Sequence, residues 1–151
     1  MSVQISVERI APIIETELWP LLQEHREELT SNKALMRLAP DTARYAMAEE
    51  AGNLLALVAR EGQGIVGYSV NFIGQHLHYS DLRYAHNDVL FLVKSHRVGT
   101  LGLRLIRETE RAARALGAQM VTWHAKPGTT LEQLMPRMGY RVQDVMFSKE
   151  L

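Results

Sequence analysis

The spacing of apolar residues in the first third of the chain predicts helices. Between Val7 and Leu29, apolar residues recur every three or four positions with glutamates at other positions, as on an amphipathic helix. Pro20 lacks the N–H that a helix interior needs, so the pattern predicts either a helix kinked there or two helices in sequence. A second helix is predicted from Ala43 to Ala51, with Asp41 or Thr42 as its N-cap.

The periodicity then changes to that of β-strands. Residues 54–60 and 65–73 are predicted to form an antiparallel hairpin, because the turn 61–64 (EGQG) contains glycines that supply the positive φ of a tight turn. Residues 88–93 (DVLFLV) are almost continuously apolar, which predicts a third strand that is central in the sheet and buried on both faces.

Helix and strand alternate in the last third of the chain. The predicted elements are a helix from Val98 to Leu116, a strand from Met120 to Trp123, a helix capped by Thr129 or Thr130 that ends at Met138, and an edge strand from Arg141 to Lys149. The unpaired edge of residues 141–149 offers a surface for homodimerisation. The order of elements indicates an α+β fold in one domain, residues 1–151.

Composition excludes several classes of function. The 151 residues include 17 Lys and Arg against 17 Asp and Glu, so the chain lacks the positive surplus of nucleic-acid coats and polybasic membrane binders. It has no cysteine, which rules out disulfides, thiolate metal sites and a cysteine nucleophile. No apolar stretch reaches the roughly 18 residues of a membrane span, and the N-terminus lacks a signal-peptide core, so we expect a cytoplasmic protein.

The segment from Asp88 to Gly117 predicts an anion site. A buried strand leads through a glycine-containing turn into a helix, whose first N–H groups have no partner and whose dipole favours an anion. Residues 94–114 carry six basic groups against two acidic ones, and Arg97 lies in the turn itself. The arginines of the following helix are also what a solvated outer helix face would carry.

This turn resembles the acetyl-CoA signature of the GNAT superfamily of acyl-CoA-dependent N-acetyltransferases, Gln/Arg-x-x-Gly-x-Gly/Ala followed by apolar residues. The matching residues are Arg97-Val98-Gly99-Thr100-Leu101-Gly102, with Thr100 in place of a usual glycine. The order of elements is also similar over nearly the whole chain, and residues 134–140 resemble the C-terminal helix that ends in Gly-Phe or Gly-Tyr. A phage and prophage-type branch is similar in a further set of positions: His78-Tyr79, Asp81, Asp88, Gly139-Tyr140 and Lys149.

The resemblance implies a mixed central sheet that is splayed in the middle and flanked by helices. Acetyl-CoA would be the co-substrate, with its pantetheine arm between the third strand and the strand after the motif helix. Backbone groups of Leu92 and Val93 would pair with this arm, and an N–H near Val93 would polarise the thioester carbonyl. Arg97 and the N–H groups of Val98, Gly99, Thr100, Leu101 and Gly102 would bind the pyrophosphate.

Acetyl transfer also requires a base, because an ordinary amine is mostly protonated at neutral pH. The candidates are Asp88, His78 and His124. Each has a structural alternative: Asp88 as a cap of its strand or turn, His78 as a hydrogen-bonded structural histidine, and His124 as a residue that orders the following loop.

The general acid is less well defined. The superfamily's usual tyrosine falls on Met135, which cannot donate a proton. Tyr140 or Tyr79 would have to substitute, or the thiolate would leave unassisted, since its pKa resembles that of cysteine. No metal site is expected, because His76 and His78 lack the carboxylates or cysteines that complete a known ligand spacing.

The resemblance favours transfer of an acetyl group from acetyl-CoA to a primary amine by direct attack in a ternary complex. The acceptor would be a small molecule or a peptide amine, and the acidic N-terminal region favours a cationic one. The alternative is a GNAT-fold module that binds CoA for regulation without efficient catalysis. A third interpretation is an unrelated α/β protein with an anion site.

Overall fold

The computed structural model describes residues 2–151, and its centre is a five-stranded mixed sheet in the order β1-β2-β3-β4-β5. All neighbouring strands are antiparallel except β4 and β5, which are parallel. The strands are β1 (Val3–Val7), β2 (Leu54–Glu61), β3 (Gly64–Gln75), β4 (Arg83–Leu92) and β5 (Met120–Thr122).

The chain also forms four helices. They are α1 (Trp19–Leu29), α2 (Thr42–Glu50), α3 (Leu101–Ala115) and α4 (Thr130–Arg137), with short 3-10 turns at Ala11–Ile13 and Lys94–His96. Of these, α1, α2 and α3 lie between strands in the sequence and α4 follows the last strand. On one face of the sheet, Leu18 and Leu21 of the α1 segment pack with Val58 and Phe91. On the other face, Leu105 of α3 packs with its own set of strand residues, so the sheet separates two apolar layers.

The N-terminal segment differs from the prediction, which was a kinked helix or two helices between Val7 and Leu29. Residues Val3–Val7 form β1, paired with β2, and α1 begins only at Trp19. Pro20 lies in the first turn of α1, where its missing N–H has no helical acceptor to lose. The apolar pattern nevertheless indicated burial correctly, since Ile10 and Ile14 are each only 1% exposed.

The hairpin and the second helix are confirmed. Strands β2 and β3 meet at a turn in which Gly62 has a φ of 60°, the conformation that favours glycine. Asp41 caps α2 by accepting a hydrogen bond from the Arg44 N–H at 3.0 Å. These signals are local in sequence, so they predict local structure well.

Two predictions about strands need correction. The third strand begins at Arg83 instead of Asp88, because residues 83–87 pair with β3. The predicted edge strand from Arg141 to Lys149 is wrong: residues 141–151 form no strand and are exposed. β5 has only three residues and gives this segment little edge to pair with. The homodimer prediction depended on an unpaired strand edge at residues 141–149, and this segment does not form a strand.

A β-bulge interrupts the pairing of β3 with β4. Val70 pairs with Val89, but Asn71 pairs with Asn87, so Asp88 is an extra residue in β4. A bulge of this kind bends the strand and redirects a side chain. The unpaired position therefore gives the Asp88 side chain a direction that regular strand alternation would not.

A buried polar network surrounds this bulge. Ser69, Asn71, Asn87 and Thr109 are at most 2% exposed. The Asn87 amide lies 2.9 Å from Asn71 Oδ1 and 3.1 Å from the Val89 carbonyl, so it spans the bulge. Thr109 Oγ1 on α3 lies 3.0 Å from Ser69 Oγ and bonds its own helix. Each of these four side chains thus has a hydrogen-bond partner, and the network joins two strands to the helix.

Replacing Asn87 with leucine should destabilise the fold by about 2–4 kcal/mol, because it leaves buried partners of the amide without a hydrogen bond. Urea unfolding of Asn87→Leu measures this. The matched control is Gln133→Leu, which removes an exposed amide and should change the free energy of unfolding little. Equal effects of the two substitutions would contradict a stabilising role for the network.

Candidate functional site

Strand β4 has an open edge over its second half. β5 pairs with β4 only from Tyr84 to His86, and beyond that point no strand within residues 2–151 lies on this side of β4. The Val93 N–H donates to the Val66 carbonyl at 2.9 Å. Because backbone groups alternate between the two sides of a strand, Leu90 and Leu92 direct theirs to the open edge. An extended chain of amides could pair with this edge as an added strand.

This geometry separates the two backbone positions that were predicted to bind the cofactor. Leu92 faces the open edge, although its carbonyl accepts a hydrogen bond from Arg97 Nε at 2.8 Å. The Val93 N–H is used inside the sheet, so it is not free to bind a thioester carbonyl as predicted. The N–H groups of Leu90 and Leu92 are the ones that face the edge.

The turn before α3 has the form of an anion site. Gly99 has a φ of 82°, which only glycine adopts easily, and this residue brings the chain into the helix. Val98, Gly99 and Thr100 are exposed, and Thr100 caps the helix without a side-chain hydrogen bond. The first N–H groups of α3 therefore have no helical or capping partner and point outward. A Cβ on Gly102 would meet Leu92 at an ordinary contact distance of 3.5 Å.

Arg97 was predicted to bind an anion at this turn, but its side chain is bonded to other groups of the protein. Its guanidinium forms a bidentate ion pair with Glu28 of α1, with distances of 2.5 and 2.7 Å. The guanidinium carbon also lies 5.3 Å from the centre of the Phe91 ring. The bond to Arg97 lowers the pKa of Glu28, so both groups are charged at neutral pH. In this structure Arg97 connects α1 to the end of β4.

Two of the predicted bases, Asp88 and His124, lie near a histidine that was not predicted, His86, at the point where β4 and β5 separate. The His86 and His124 rings are 5.6 Å apart, and His86 Nδ1 lies 2.7 Å from Thr122 Oγ1. Burial, followed by the nearby His124, lowers the pKa of His86, whereas the Asp88 charge acts in the opposite direction. His86 and His124 are thus neighbours beside the open edge, and the charge of Asp88, two residues further along β4, acts on His86. We refer to these three residues as one cluster.

His78 and Tyr140 lie elsewhere. His78 is exposed in the loop between β3 and β4, at the opposite end of the ten-residue β4 from the anion-site turn. At about 3.3 Å per residue, the strand separates the two by roughly 30 Å. The Tyr140 hydroxyl donates to Glu110 at 2.5 Å, and burial together with this bond raises the pKa of Tyr140. The hydroxyl proton of Tyr140 is therefore directed to Glu110 of α3 and not to a thioester site.

A cavity of about 340 Å³ opens on the α1 and α2 side of the sheet. Its walls come from the α1 segment, the loop between α1 and α2, and strands β3 and β4. Val89 lines it, so β4, the strand that carries the open edge, also forms part of the cavity wall. Burial, followed by the Asp88 charge, raises the pKa of Tyr45, another lining residue. Asp88 is therefore near enough for its charge to act on the cavity wall.

His25 is a residue of this cavity that the sequence analysis missed. Its Nδ1 lies 2.7 Å from the hydroxyl of the buried Tyr68, and its ring stacks on Phe91 at 4.8 Å. Burial lowers the pKa of His25 to about 4, so the imidazole is neutral at pH 7. The signal was its spacing, because His25 follows Leu18 and Leu21 on the buried face of α1.

Two further features concern the residues that the structure describes. Residues 2–151 contain no group of three or more histidine and carboxylate side chains that could hold a metal ion. Over the same range, no helix has the length and apolar character needed to cross a membrane.

The chain matches no protein-family model and no curated protein sequence. Solved structures, by contrast, match over its whole length. An aminoglycoside acetyltransferase from an uncultured soil metagenomic sample has a TM-score of 0.78 at 19% identity, covering 100% of this chain and 99% of its own. A ribosomal-protein-alanine N-acetyltransferase from Brucella melitensis has a TM-score of 0.71 at 18% identity, with 99% of both chains covered. A GNAT family acetyltransferase from Staphylococcus aureus has a TM-score of 0.66 at 17% identity, with full coverage of both.

None of these three descriptions supports the phage and prophage-type branch. At these identities the likeness extends to the fold and not to the reaction. The predicted fold is confirmed: the chain has the α+β fold of the GNAT acetyltransferases.

Proposed function

We propose that this protein is an N-acetyltransferase that transfers an acetyl group from acetyl-CoA to a primary amine by direct attack in a ternary complex. The observation that carries the proposal is the open edge of β4, a strand that leads into the anion-site turn before α3 and contributes Val89 to the cavity wall. The turn would hold the pyrophosphate, the edge would pair with the pantetheine amides, and the cavity would hold the acceptor. The solved acetyltransferases of the same fold support this assignment.

In the proposed reaction the neutral amine nitrogen attacks the thioester carbonyl. The N–H group of Leu90 or Leu92 at the open edge stabilises the oxyanion of the tetrahedral intermediate, in place of Val93. The C–S bond then breaks and CoA leaves as a thiolate. The amine proton passes to a member of the cluster formed by Asp88, His86 and His124, directly or through water.

No protein acid is assigned to the leaving thiolate. Tyr140 is bonded to Glu110, and Met135 occupies the position of the superfamily's usual tyrosine. A thiol with a pKa near 8.5, like that of cysteine, can leave as the thiolate without a proton donor. We therefore assign the thiolate's departure to solvent.

A second candidate function is a CoA-binding module with little catalysis. It is favoured by the ion pair between Arg97 and Glu28, which holds the motif arginine away from the anion site. Both functions require CoA to bind, and they differ in turnover. A binder would be stabilised by acetyl-CoA but would release no CoA when amines are added.

Acetyl-CoA should raise the melting temperature, because a ligand that binds only the native state adds about 2.7 kcal/mol at 100 times its Kd. Val98→Glu places a carboxylate at the anion-site turn and should remove most of this shift. Val142→Glu is the matched control, since Val98 and Val142 are 82% and 84% exposed and only Val98 adjoins the turn. Differential scanning fluorimetry measures all three proteins. No shift of the wild type at millimolar acetyl-CoA would exclude the proposed cofactor site.

The proton-transfer cluster predicts a separate loss of turnover. Asp88→Asn, His86→Gln and His124→Gln are made singly, and the one that removes the base should lower kcat by about 10²–10⁴-fold while acetyl-CoA still stabilises the protein. His78→Gln is the control, because His78 lies at the far end of β4. CoA release with a panel of amines is the readout. Full turnover of all three cluster variants would remove the cluster from the mechanism.

A further inference from the structure

We infer that the acceptor is a small amine that carries a carboxylate on an apolar body. The inference rests on the proposed function, because it takes the cavity of about 340 Å³ as the acceptor site. That volume is within the roughly 300–1,000 Å³ typical of small-molecule sites. The charges and the apolar surface around the cavity carry the argument.

The charged residues that line the cavity are both basic. They are Arg26 and Arg37, and no aspartate or glutamate among residues 2–151 lines it. Arg26 is largely used in structure, since it donates to the carbonyls of Lys33 and Met36 and pairs with Glu27. These bonds tie the loop between α1 and α2 to the helix.

Arg37 lies on that same loop and is in a different position. No hydrogen bond or ion pair of its side chain is found within residues 2–151. An unneutralised guanidinium at a cavity presents several N–H donors in the geometry that a carboxylate accepts. Arg37 is an exposed lining residue without a side-chain partner among residues 2–151, so its guanidinium is free to bind an anion at the cavity.

The remaining requirements come from the cavity wall and the open edge. Ile10, Ile14 and Leu18 line the cavity and are each 1% exposed, so they favour an apolar ligand body. Val89 belongs to β4, the strand with which the cofactor arm would pair, so the amine would have to lie on the Val89 side of the cavity to reach a thioester. An amine that faces Val89 with a carboxylate at Arg37 satisfies all three features.

A polycationic acceptor does not suit this cavity. An aminoglycoside has several ammonium groups, which would meet two guanidinium groups and no lining carboxylate. Among the acidic residues of the N-terminal region, Glu8 and Glu17 pair with Arg60, and Glu28 pairs with Arg97, so an arginine neutralises each of these three charges. The aminoglycoside specificity in the description of the similar soil protein is therefore not expected here.

The test compares amines that differ only in the group far from the nitrogen. One series is ε-aminocaproate, n-hexylamine and hexamethylenediamine, and a second is 4-(aminomethyl)benzoate and benzylamine. Initial rates of CoA release give kcat/KM, and thermal shifts with each amine alone give binding without turnover. In at least one series the carboxylate-bearing amine should be preferred about 10-fold or more, the effect of a charge-assisted hydrogen bond.

Variants of Arg37 assign the preference to this side chain. Arg37→Gln should abolish it, and Arg37→Glu should make hexamethylenediamine the best of its series. Arg114→Gln removes one charge from an exposed residue of α3 and should leave the preference unchanged, which separates a local effect from one of net charge.

Failure of this inference can be told apart from failure of the proposed function. If amines are acetylated without a preference for the carboxylate, or if the preference persists in Arg37→Gln, the inference is wrong and the acetyltransferase remains. If no amine is acetylated, the thermal shifts decide it. Stabilisation by the carboxylate probes that Arg37→Gln removes would support the inference, and equal or absent shifts with both members of each pair would overturn it.

Discussion

The bulge at Asp88 is the constraint on which the rest of the site depends. An extra residue in β4 requires its neighbours to satisfy backbone groups that regular pairing would satisfy, and the buried Asn87 amide does this by bonding across the bulge. The bend occurs just after the last residue of β4 that pairs with β5. The open edge, the direction of Asp88 and the wall of the cavity at Val89 all follow from this one interruption.

The ion pair between Arg97 and Glu28 relates the two faces of the proposed site. Arg97 lies directly before the anion-site turn and donates a hydrogen bond to the Leu92 carbonyl. Its partner Glu28 lies on α1, the same helix that contributes His25 to the cavity wall. The ion pair therefore connects α1, which lines the cavity, to the C-terminal end of β4, the strand proposed to pair with the cofactor. Its bidentate geometry and its contact with the Phe91 ring make it more specific than an isolated surface ion pair.

The features that were predictable from the sequence are those whose causes are close together in the chain. The hairpin depends on the glycines of its own turn, and the start of α2 depends on Asp41 three residues before the N–H that it caps. β1 was missed because its five residues become a strand only by pairing with β2, whose partner residues lie 50 to 58 positions further along the chain. Likewise, Arg97 could be located in the turn, but its partner lies 69 positions earlier.

The candidate site was predicted in part for the same reason. Asp88 and His124 were selected from their places at strand ends, and the structure adds His86 between them through the parallel pairing of β4 with β5. His78 was selected because an extended stretch would have put it on a strand face, but the chain turns there and leaves it exposed. Periodicity gives the face of a side chain and not its position along the sheet.

His25 lines the cavity but adds no charge to it, because its imidazole is neutral at pH 7. A protonated imidazole beside Tyr68 would add a third positive charge to a cavity that already has two arginines. Burial lowers the pKa of His25 to about 4, so at neutral pH the ring and the Tyr68 hydroxyl form an uncharged hydrogen-bonded pair. With Arg26 bonded to the loop, Arg37 is the lining cation that has no partner among residues 2–151, and the charge of Asp88 acts on Tyr45 of the cavity wall. A positive group and a negative group at separate places near an apolar cavity are complementary to a ligand that has the opposite charges at its two ends, which is the charge arrangement of the inferred acceptor.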